Sequence, residues 1–173
     1  MGRGAVGSRV NSGGCRAQDS ARLGNLVPGG MTAADLPPPP ASIDVVVEVP
    51  RGSFIKWGAD GGVDFVSPFP CPFDYGSAPA FCAPDGDPAD AVLLGGGRGR
   101  GWRGRLPVVG RVRFVDGGQR DDKWVCSARG LERRHRLALI GFFRVYALAK
   151  RWTGRGPARF EGLDQWDSGS TAS

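Results

Sequence analysis

Short apolar segments interrupted by glycine and proline dominate the chain from position 43 onwards. Residues 43–49 are dense in valine and are followed by Pro50 and Gly52, a pattern that predicts a β-strand. Residues 68–84 hold five prolines and no regular alternation, so we expect an ordered loop there. Further short strands are predicted at residues 53–56, 63–66, 89–94, 106–115 and 123–126.

One segment, residues 131–150, has the pattern of a long helix. Leu137, Ile140, Phe143 and Tyr146 recur at helical spacing, which predicts one apolar face. We expect the aromatic pair at 142 and 143 to pack in the core. Several short strands with one long helix predict an α+β, mainly β fold built on a small barrel.

The chain divides into three parts by composition. Residues 1–41 are rich in Gly, Ala, Arg and Pro and lack hydrophobic periodicity, so we expect a disordered tail. Residues 42–165 carry the strand and helix patterns and form the predicted domain, and residues 166–173 are expected to fray. No apolar run approaches the ~18 residues of a membrane span, so we expect no membrane partner and a cytoplasmic location.

Charge is distributed unevenly along the predicted domain. Residues 41–90 carry eight acidic and two basic side chains, whereas residues 91–173 carry seven acidic and seventeen basic ones. An acidic half suits divalent cations, and a basic half suits phosphate or nucleic acid. The four cysteines form no C-x-x-C pair and His135 is the single histidine, so we expect reduced thiols and no zinc site.

The densest acidic cluster is the segment Asp85-Gly-Asp87-Pro-Ala-Asp90. Carboxylates this close repel one another unless a cation lies among them, and their hard oxygens favour Mg²⁺, Mn²⁺ or Ca²⁺. The spacing does not match an EF-hand loop, because alanine stands at its fifth position and glycine at its twelfth. A solvated acidic turn remains the alternative interpretation for this segment alone.

A second acidic group lies between two predicted strands. Asp116 and Asp121 precede Lys123 on one loop, which combines metal-type and phosphate-type ligands. Taken alone, this segment is also compatible with an ordinary hairpin loop.

Together these segments resemble the soluble family I inorganic pyrophosphatases, in order and in spacing, over residues 42–165. The matching segments are Asp44-Val-Val-Val-Glu48-Val-Pro50, Phe54-Ile-Lys56, Pro72-Phe-Asp-Tyr75-Gly76, Asp85-Gly-Asp-Pro-Ala-Asp90, Asp116 with Asp121-Asp-Lys123, and Phe142-Phe143 with Tyr146. The resemblance implies a small closed five-stranded OB-like β-barrel flanked by one or two helices. It also implies Mg²⁺-dependent hydrolysis of pyrophosphate with several ions per site, and homo-oligomers.

The resemblance also implies roles for individual residues. Glu48 is expected to orient a water molecule, and Tyr75 to lie in the site wall and support the acidic cluster. Lys56, Lys123 and Tyr146 are expected to bind phosphate oxygens. Asp87 lies in the middle of the cluster and is the candidate to accept the proton of the attacking water. The expected metal ligands are Asp85, Asp87, Asp90, Asp116 and Asp121.

Several positions depart from the family pattern. Gly58 replaces an acid, Pro68 or Ser67 replaces a phosphate-binding arginine, and Ala147 replaces a lysine. A tyrosine is absent at Cys71, and a larger aliphatic residue is absent at Ala89. A noncatalytic relative that binds metal or phosphate is therefore an alternative. The candidate basic residues to compensate are Arg111, Arg113, Arg120 and Lys150.

A third hypothesis comes from residues 95–105, which read GGGRGRGWRGR. Arginines on a flexible glycine backbone, with Trp102 for stacking, can bind single-stranded nucleic acid. A loose basic connection between two strands is the simpler interpretation, so we expect no nucleic-acid partner.

Overall fold

The computed structural model describes residues 40–57, 62–66, 69–83, 86–152 and 156–166. Most of the predicted tail at 1–41 and of the predicted C-terminal segment at 166–173 therefore lies outside the described residues. The described strands are β1 (Ser42–Val49), β2 (Ile55–Trp57), β3 (Val63–Val66), β4 (Asp74–Cys82), β5 (Pro88–Leu93), β6 (Arg103–Asp116), β7 (Gln119–Arg120), β8 (Lys123–Cys126) and β9 (Arg159–Gln165), and the helix is α1 (Arg133–Trp152).

Five of the strands close into a barrel. They follow the order β1-β4-β5-β8-β6, and β6 pairs again with β1 through residues 42–46 and 103–107. The pairing of β5 with β8 is parallel, whereas the other pairs of the barrel are antiparallel. β7 and β9 extend the sheet from β6, and β2 pairs with β3 in a separate hairpin. The prediction of a mainly β fold with a closed five-stranded barrel is confirmed.

Alternate residues of the strands lie in two apolar clusters on opposite faces of the sheet. Trp124 and Cys126 belong to a cluster made of strand residues, which fills the barrel. Val125, between them, belongs to the second cluster, to which α1 contributes Leu139 and Phe143. Because neighbouring strand residues point to opposite faces, the second cluster lies on the outer face of the barrel, beneath the helix.

The aromatic residues of α1 hold the helix on this outer face. Phe143 is buried, and Phe142 and Tyr146 pack partly buried against the same cluster. The Phe143 ring lies 5.8 Å from the ring of Phe114 on β6 and 6.5 Å from that of Phe160 on β9. The predicted core role of the pair at 142 and 143 is thus confirmed, and the helix runs about two residues later than predicted.

The largest error of the sequence-based prediction is at residues 68–84, which contain β4 rather than only a loop. Gly76 explains how this strand pairs: a Cβ there would lie 1.8 Å from the carbonyl oxygen of Val46 on β1. Only glycine permits this approach of the two backbones. β7 and β9 were not predicted either, because both are short or edge segments held by β6.

The described cysteines divide into two kinds. Cys71 and Cys126 are free, as expected, and both are buried. Cys82 is disulfide-bonded, so the prediction of reduced thiols is wrong at this position. No helix among the described residues is both long enough and apolar enough to cross a membrane.

Burial raises the pKa of Cys126 to about 12, which predicts an inert thiol. Because the thiolate is the reactive form, iodoacetamide at pH 8 should leave Cys126 unmodified in the folded protein and modify it in 6 M guanidinium chloride. Peptide mass spectrometry measures both. Rapid alkylation of Cys126 under native conditions would contradict the burial described here.

Candidate active site

The site is built around the side-chain ammonium of Lys123, which is 2% exposed at the start of β8. Its Nζ donates to Asp90 Oδ2 at 2.9 Å and to Asp121 Oδ1 at 2.6 Å, and also to the backbone carbonyl of Asp121 at 2.9 Å. The parallel register pairs Ala91 with Trp124, which places Asp90 and Lys123 side by side at the same end of the two strands. Two carboxylates from different parts of the chain thus share one cation.

The Asp90 carboxylate also accepts a hydrogen bond from a hydroxyl on strand β4. The Tyr75 hydroxyl donates a hydrogen bond to Asp90 Oδ2, and the ring of Tyr75 lies 6.0 Å from Lys123 Nζ. The hydroxyl thus contacts the acidic cluster, and the supporting role of Tyr75 stays a prediction.

Glu48 is held on the neighbouring strand by a contact that the sequence did not indicate. Ser77 Oγ donates to Glu48 Oε1 at 2.5 Å. Ser77 lies opposite Asp90 in the β4–β5 register and opposite Val46 in the β1–β4 register. Glu48 is therefore anchored next to the strand that carries Asp90.

The last turns of α1 supply the other side of the site. Tyr146 packs on Phe114, with ring centroids 5.7 Å apart. One turn later, Lys150 donates to the carboxylate of Asp116 at the end of β6, and its Nζ lies 5.4 Å from the Tyr146 ring centroid. Asp116 and Tyr146 thus lie at the same end of the site as Lys123.

The structure brings together most, but not all, of the predicted site residues. Asp85 lies outside the described residues, and so does the side chain of Lys56, whose backbone is in β2. Asp87 is exposed immediately before β5, and its backbone carbonyl accepts a hydrogen bond from Ala83 at 2.8 Å. The remaining predicted residues lie on six elements and one loop. They are Glu48 on β1, Tyr75 on β4, Asp90 on β5, Asp116 on β6, Asp121 in the loop before β8, Lys123 on β8 and Tyr146 on α1.

Burial and charge set the protonation states at the centre. Burial lowers the pKa of Lys123, but Asp90 and Asp121 more than offset this, so its pKa lies above the usual range. Burial raises the pKa of Tyr75 and of Tyr146. Nearby carboxylates raise both further, while Lys123 opposes part of the shift at Tyr146. Burial also raises the pKa of Asp121, although Lys123 opposes that shift. At neutral pH, Lys123 is therefore a cation and both tyrosines are hydrogen-bond donors.

The donor chemistry of the site fits a divalent cation. Asp90, Asp116 and Asp121 offer carboxylate oxygens, which hard cations prefer. Asp90 and Asp121 already share the positive charge of Lys123. Within the part of the chain that the structure describes, no three Asp, Glu, His or Cys side chains are grouped so as to hold one ion. The assignment of five aspartates as metal ligands therefore stays a prediction.

Three of the four basic residues considered as compensating cations lie elsewhere. Arg111 and Arg113 pair with Asp164, and Arg120 pairs with Glu161, so all three are engaged by acids of β9. Lys150 is the fourth, and its contact with Asp116 places it in the site. Ala147 and Ala89, by contrast, are small positions buried in the core.

The Gly/Arg segment 95–105 is anchored to the barrel rather than a free loop. Arg98 pairs with Asp74 at 3.2 Å, and the Asp74 side chain is fully buried. The Arg98 guanidinium carbon also lies 4.8 Å from the ring centroid of Trp102. Arg105 pairs with Asp44 on β1 at 3.4 Å. A base could stack on Trp102 only by displacing Arg98, so this geometry disfavours the nucleic-acid hypothesis.

The fold and the site together describe a β-barrel protein whose outer face carries a site of carboxylates, a lysine and tyrosines. Comparison with known proteins identifies its family. The family model described as inorganic pyrophosphatase matches residues 45–141. An inorganic pyrophosphatase of Pseudanabaena is 30% identical over 140 residues, covering 67% of this chain and 77% of its own length. The chain belongs to the soluble family I inorganic pyrophosphatases.

Other relatives and solved structures agree. An inorganic pyrophosphatase of Aquifex pyrophilus is 46% identical over 70 residues, covering 35% of this chain and 40% of its own length. The crystal structure of an inorganic pyrophosphatase from Neisseria gonorrhoeae has 26% sequence identity and a TM-score of 0.60, covering 72% of this chain and 83% of that chain. That from Thermus thermophilus, at 24% identity and a TM-score of 0.62, covers 78% and 87% and supports the fold. The chain spans about half the length of most of the curated relatives it matches.

Removing the central cation should destabilise the fold. Lys123→Met removes a buried cation and leaves Asp90 and Asp121, both partly buried, near each other without a counter-charge, so we expect a loss of about 3 kcal/mol in the free energy of unfolding. Urea unfolding at pH 7 measures this loss, and the double variant Lys123→Met/Asp121→Asn should recover part of it.

The matched control is Arg105→Met. It removes a cation from the exposed pair with Asp44, so the loss should stay below about 1 kcal/mol. Equal losses for Lys123→Met and Arg105→Met would show that Lys123 is not the central ion-pair partner.

Proposed function

We propose that this protein hydrolyses inorganic pyrophosphate to two phosphates with the help of divalent metal ions, preferably Mg²⁺. The observation that carries the proposal is the Lys123 ammonium held between Asp90 and Asp121, with Tyr75 on the same carboxylate. A polyanionic substrate requires cations and hydrogen-bond donors, and the carboxylates beside them are oxygen ligands for the metal ions. Membership of the family supports the same reaction.

Phosphate recognition falls to the donors of the site. Lys123 is a permanent cation at neutral pH, and the Tyr146 hydroxyl is a protonated donor because its pKa is raised. We assign Lys56, on strand β2, the same role. Tyr75 forms part of the wall and keeps Asp90 in place through its hydrogen bond. Charge-assisted hydrogen bonds of this kind are strong and directional.

The metal ions would be held by Asp85, Asp87, Asp90, Asp116 and Asp121. When bound, they would lower the pKa of water and neutralise phosphate charge. The carboxylates that share Lys123 and Lys150 in this structure are the same ones that offer oxygen ligands. The proposed metal set and the proposed phosphate set are therefore neighbours.

In the proposed reaction, side chains of the protein also orient the attacking water and accept its proton. In the proposed reaction a water oxygen forms a bond to one phosphorus atom, and the bridging oxygen leaves with the other phosphate. Asp87, an exposed carboxylate before β5, would accept the proton of the water. Glu48 would orient that water, and Ser77 fixes the Glu48 carboxylate through its hydroxyl.

We also propose that the protein is cytoplasmic and forms homo-oligomers. The location follows the family resemblance alone. Assembly is supported by an apolar stripe on the outer face of α1, where large side chains recur at helical spacing and are exposed by 43% to 91%: Leu137, Val145, Leu148 and Trp152. Exposed apolar patches of this kind commonly mark protein interfaces.

Purified protein supplied with Mg²⁺ and pyrophosphate should release phosphate, and a chelator should stop the release. Asp87→Asn should reduce turnover by at least about a hundredfold, because general-base contributions are of that order. Phosphate release is followed by a colorimetric assay. Asp44→Asn, on the exposed side of the barrel, should retain wild-type turnover.

The same assay separates the alternatives. Mg²⁺ binding without phosphate release would support a noncatalytic relative and contradict the proposed reaction. Salt-sensitive binding of single-stranded RNA that is lost when the arginines of 98–105 are replaced would support the nucleic-acid alternative instead.

Assembly has a separate test. Leu148→Asp places a charge in the middle of the stripe, so it should shift the protein towards a monomer in sedimentation equilibrium. Gln119→Asp, exposed on β7, is the matched control and should leave the mass unchanged. A monomeric wild type, or a Leu148→Asp variant of unchanged mass, would contradict assembly through this face.

A further inference from the structure

We infer that Lys150 is a second phosphate-binding cation of this site, presented by α1 one turn after Tyr146. The inference rests on the proposed function and adds a residue to it. In the family pattern described above, a lysine directly follows the tyrosine. This chain has Ala147 at that position, and Lys150 lies three residues further along the helix.

Helix geometry places Lys150 on the site. Residues four apart lie on the same face of a helix, so Lys150 extends the row that carries Tyr146. Its ammonium donates to Asp116, lies 5.4 Å from the Tyr146 ring centroid, and contributes to the electrostatic environment of Asp121. The Lys150 side chain is only 12% exposed, whereas its neighbour Arg151 is exposed to solvent. Lys150 therefore lines the site, and Arg151 does not.

The charge balance of the site explains why a second cation is useful. Lys123 is already shared by Asp90 and Asp121, so two carboxylates offset its single charge. With Asp116 added, three carboxylates face a polyanionic substrate, and like charges repel. Lys150 at the rim can exchange its contact with Asp116 for a contact with a phosphate oxygen.

Position 147 could not supply this cation without disturbing the core. Ala147 is buried in the cluster that holds α1 on the barrel, beside Phe143 and Leu139. A lysine side chain at that position would have to extend out of a packed interface, and enlarging a packed core residue is costly. One turn later the helix has reached the end of the cluster, and residue 150 faces the carboxylates.

The test compares three variants of the full chain. Lys150→Met removes the charge and keeps a long side chain over Tyr146, Lys150→Arg keeps the charge, and Arg151→Met removes a neighbouring exposed charge. Steady-state kinetics gives KM for pyrophosphate and kcat, and calorimetry gives the affinity for inorganic phosphate in the presence of Mg²⁺. Thermal unfolding reports stability for every variant.

We expect Lys150→Met to raise KM for pyrophosphate and to weaken phosphate binding by about tenfold, the size of one charge-assisted hydrogen bond. Lys150→Arg should largely restore both values, and Arg151→Met should change neither. A Lys150→Met variant that loses thermal stability but keeps the wild-type KM and phosphate affinity would overturn the inference, because the ion pair with Asp116 would then be only structural.

The two proposals fail in different ways. If the wild type binds phosphate but never hydrolyses pyrophosphate, the proposed function fails, and the calorimetric comparison of Lys150→Met with Arg151→Met still decides the role of Lys150. If the wild type turns over and Lys150→Met matches it in both assays, only the role of Lys150 fails.

Discussion

A buried ammonium ion imposes the strictest geometric condition on this protein. Removing a charge from water is costly unless partners of opposite charge surround it, and Lys123 meets this condition with two carboxylates and a backbone carbonyl. Those partners come from β5 and from the loop before β8. A shift of one residue in β5 would turn Asp90 into the barrel interior, where Ala89 and Ala91 now pack. The strand register and the site are thus determined together.

Helix α1 links the packing of the barrel to the other wall of the site. Its buried residues fix the position of the helix, and the aromatic contacts of Phe143 with β6 and β9 limit its rotation. The same helix face carries Tyr146 and ends at Lys150. The donors on this wall are therefore positioned by apolar packing rather than by a flexible loop, which is a favourable arrangement for recognising a small rigid anion.

The elements that could be predicted from the sequence are those whose local hydrophobic pattern agrees with their burial in the structure. Valine-dense β1 and the periodic helix were recognisable, because burial of one face leaves a regular signal. β4 was missed because its signal is a close backbone approach at Gly76, which depends on a strand 29 residues away in sequence and has no periodicity of its own. The family resemblance assigned Asp90 and Lys123 to one site but predicted no direct contact between them. That contact and the Ser77–Glu48 hydrogen bond depend on strand register and had no local signal. The disulfide state of Cys82 was predicted incorrectly for the same reason: spacing along the chain does not define distances in space.

The parallel pairing of β5 with β8 has a consequence for the order in which the regions of the molecule fold. Parallel neighbours cannot be joined by a tight turn, and here the whole of β6 lies between them. Asp90 and Lys123 can meet only after that long loop has closed, which is a slow, non-local step in folding. A chain emerging from the ribosome would therefore carry Asp90 before Lys123, its ion-pair partner, has been synthesised. The binding centre should be among the last regions to become ordered.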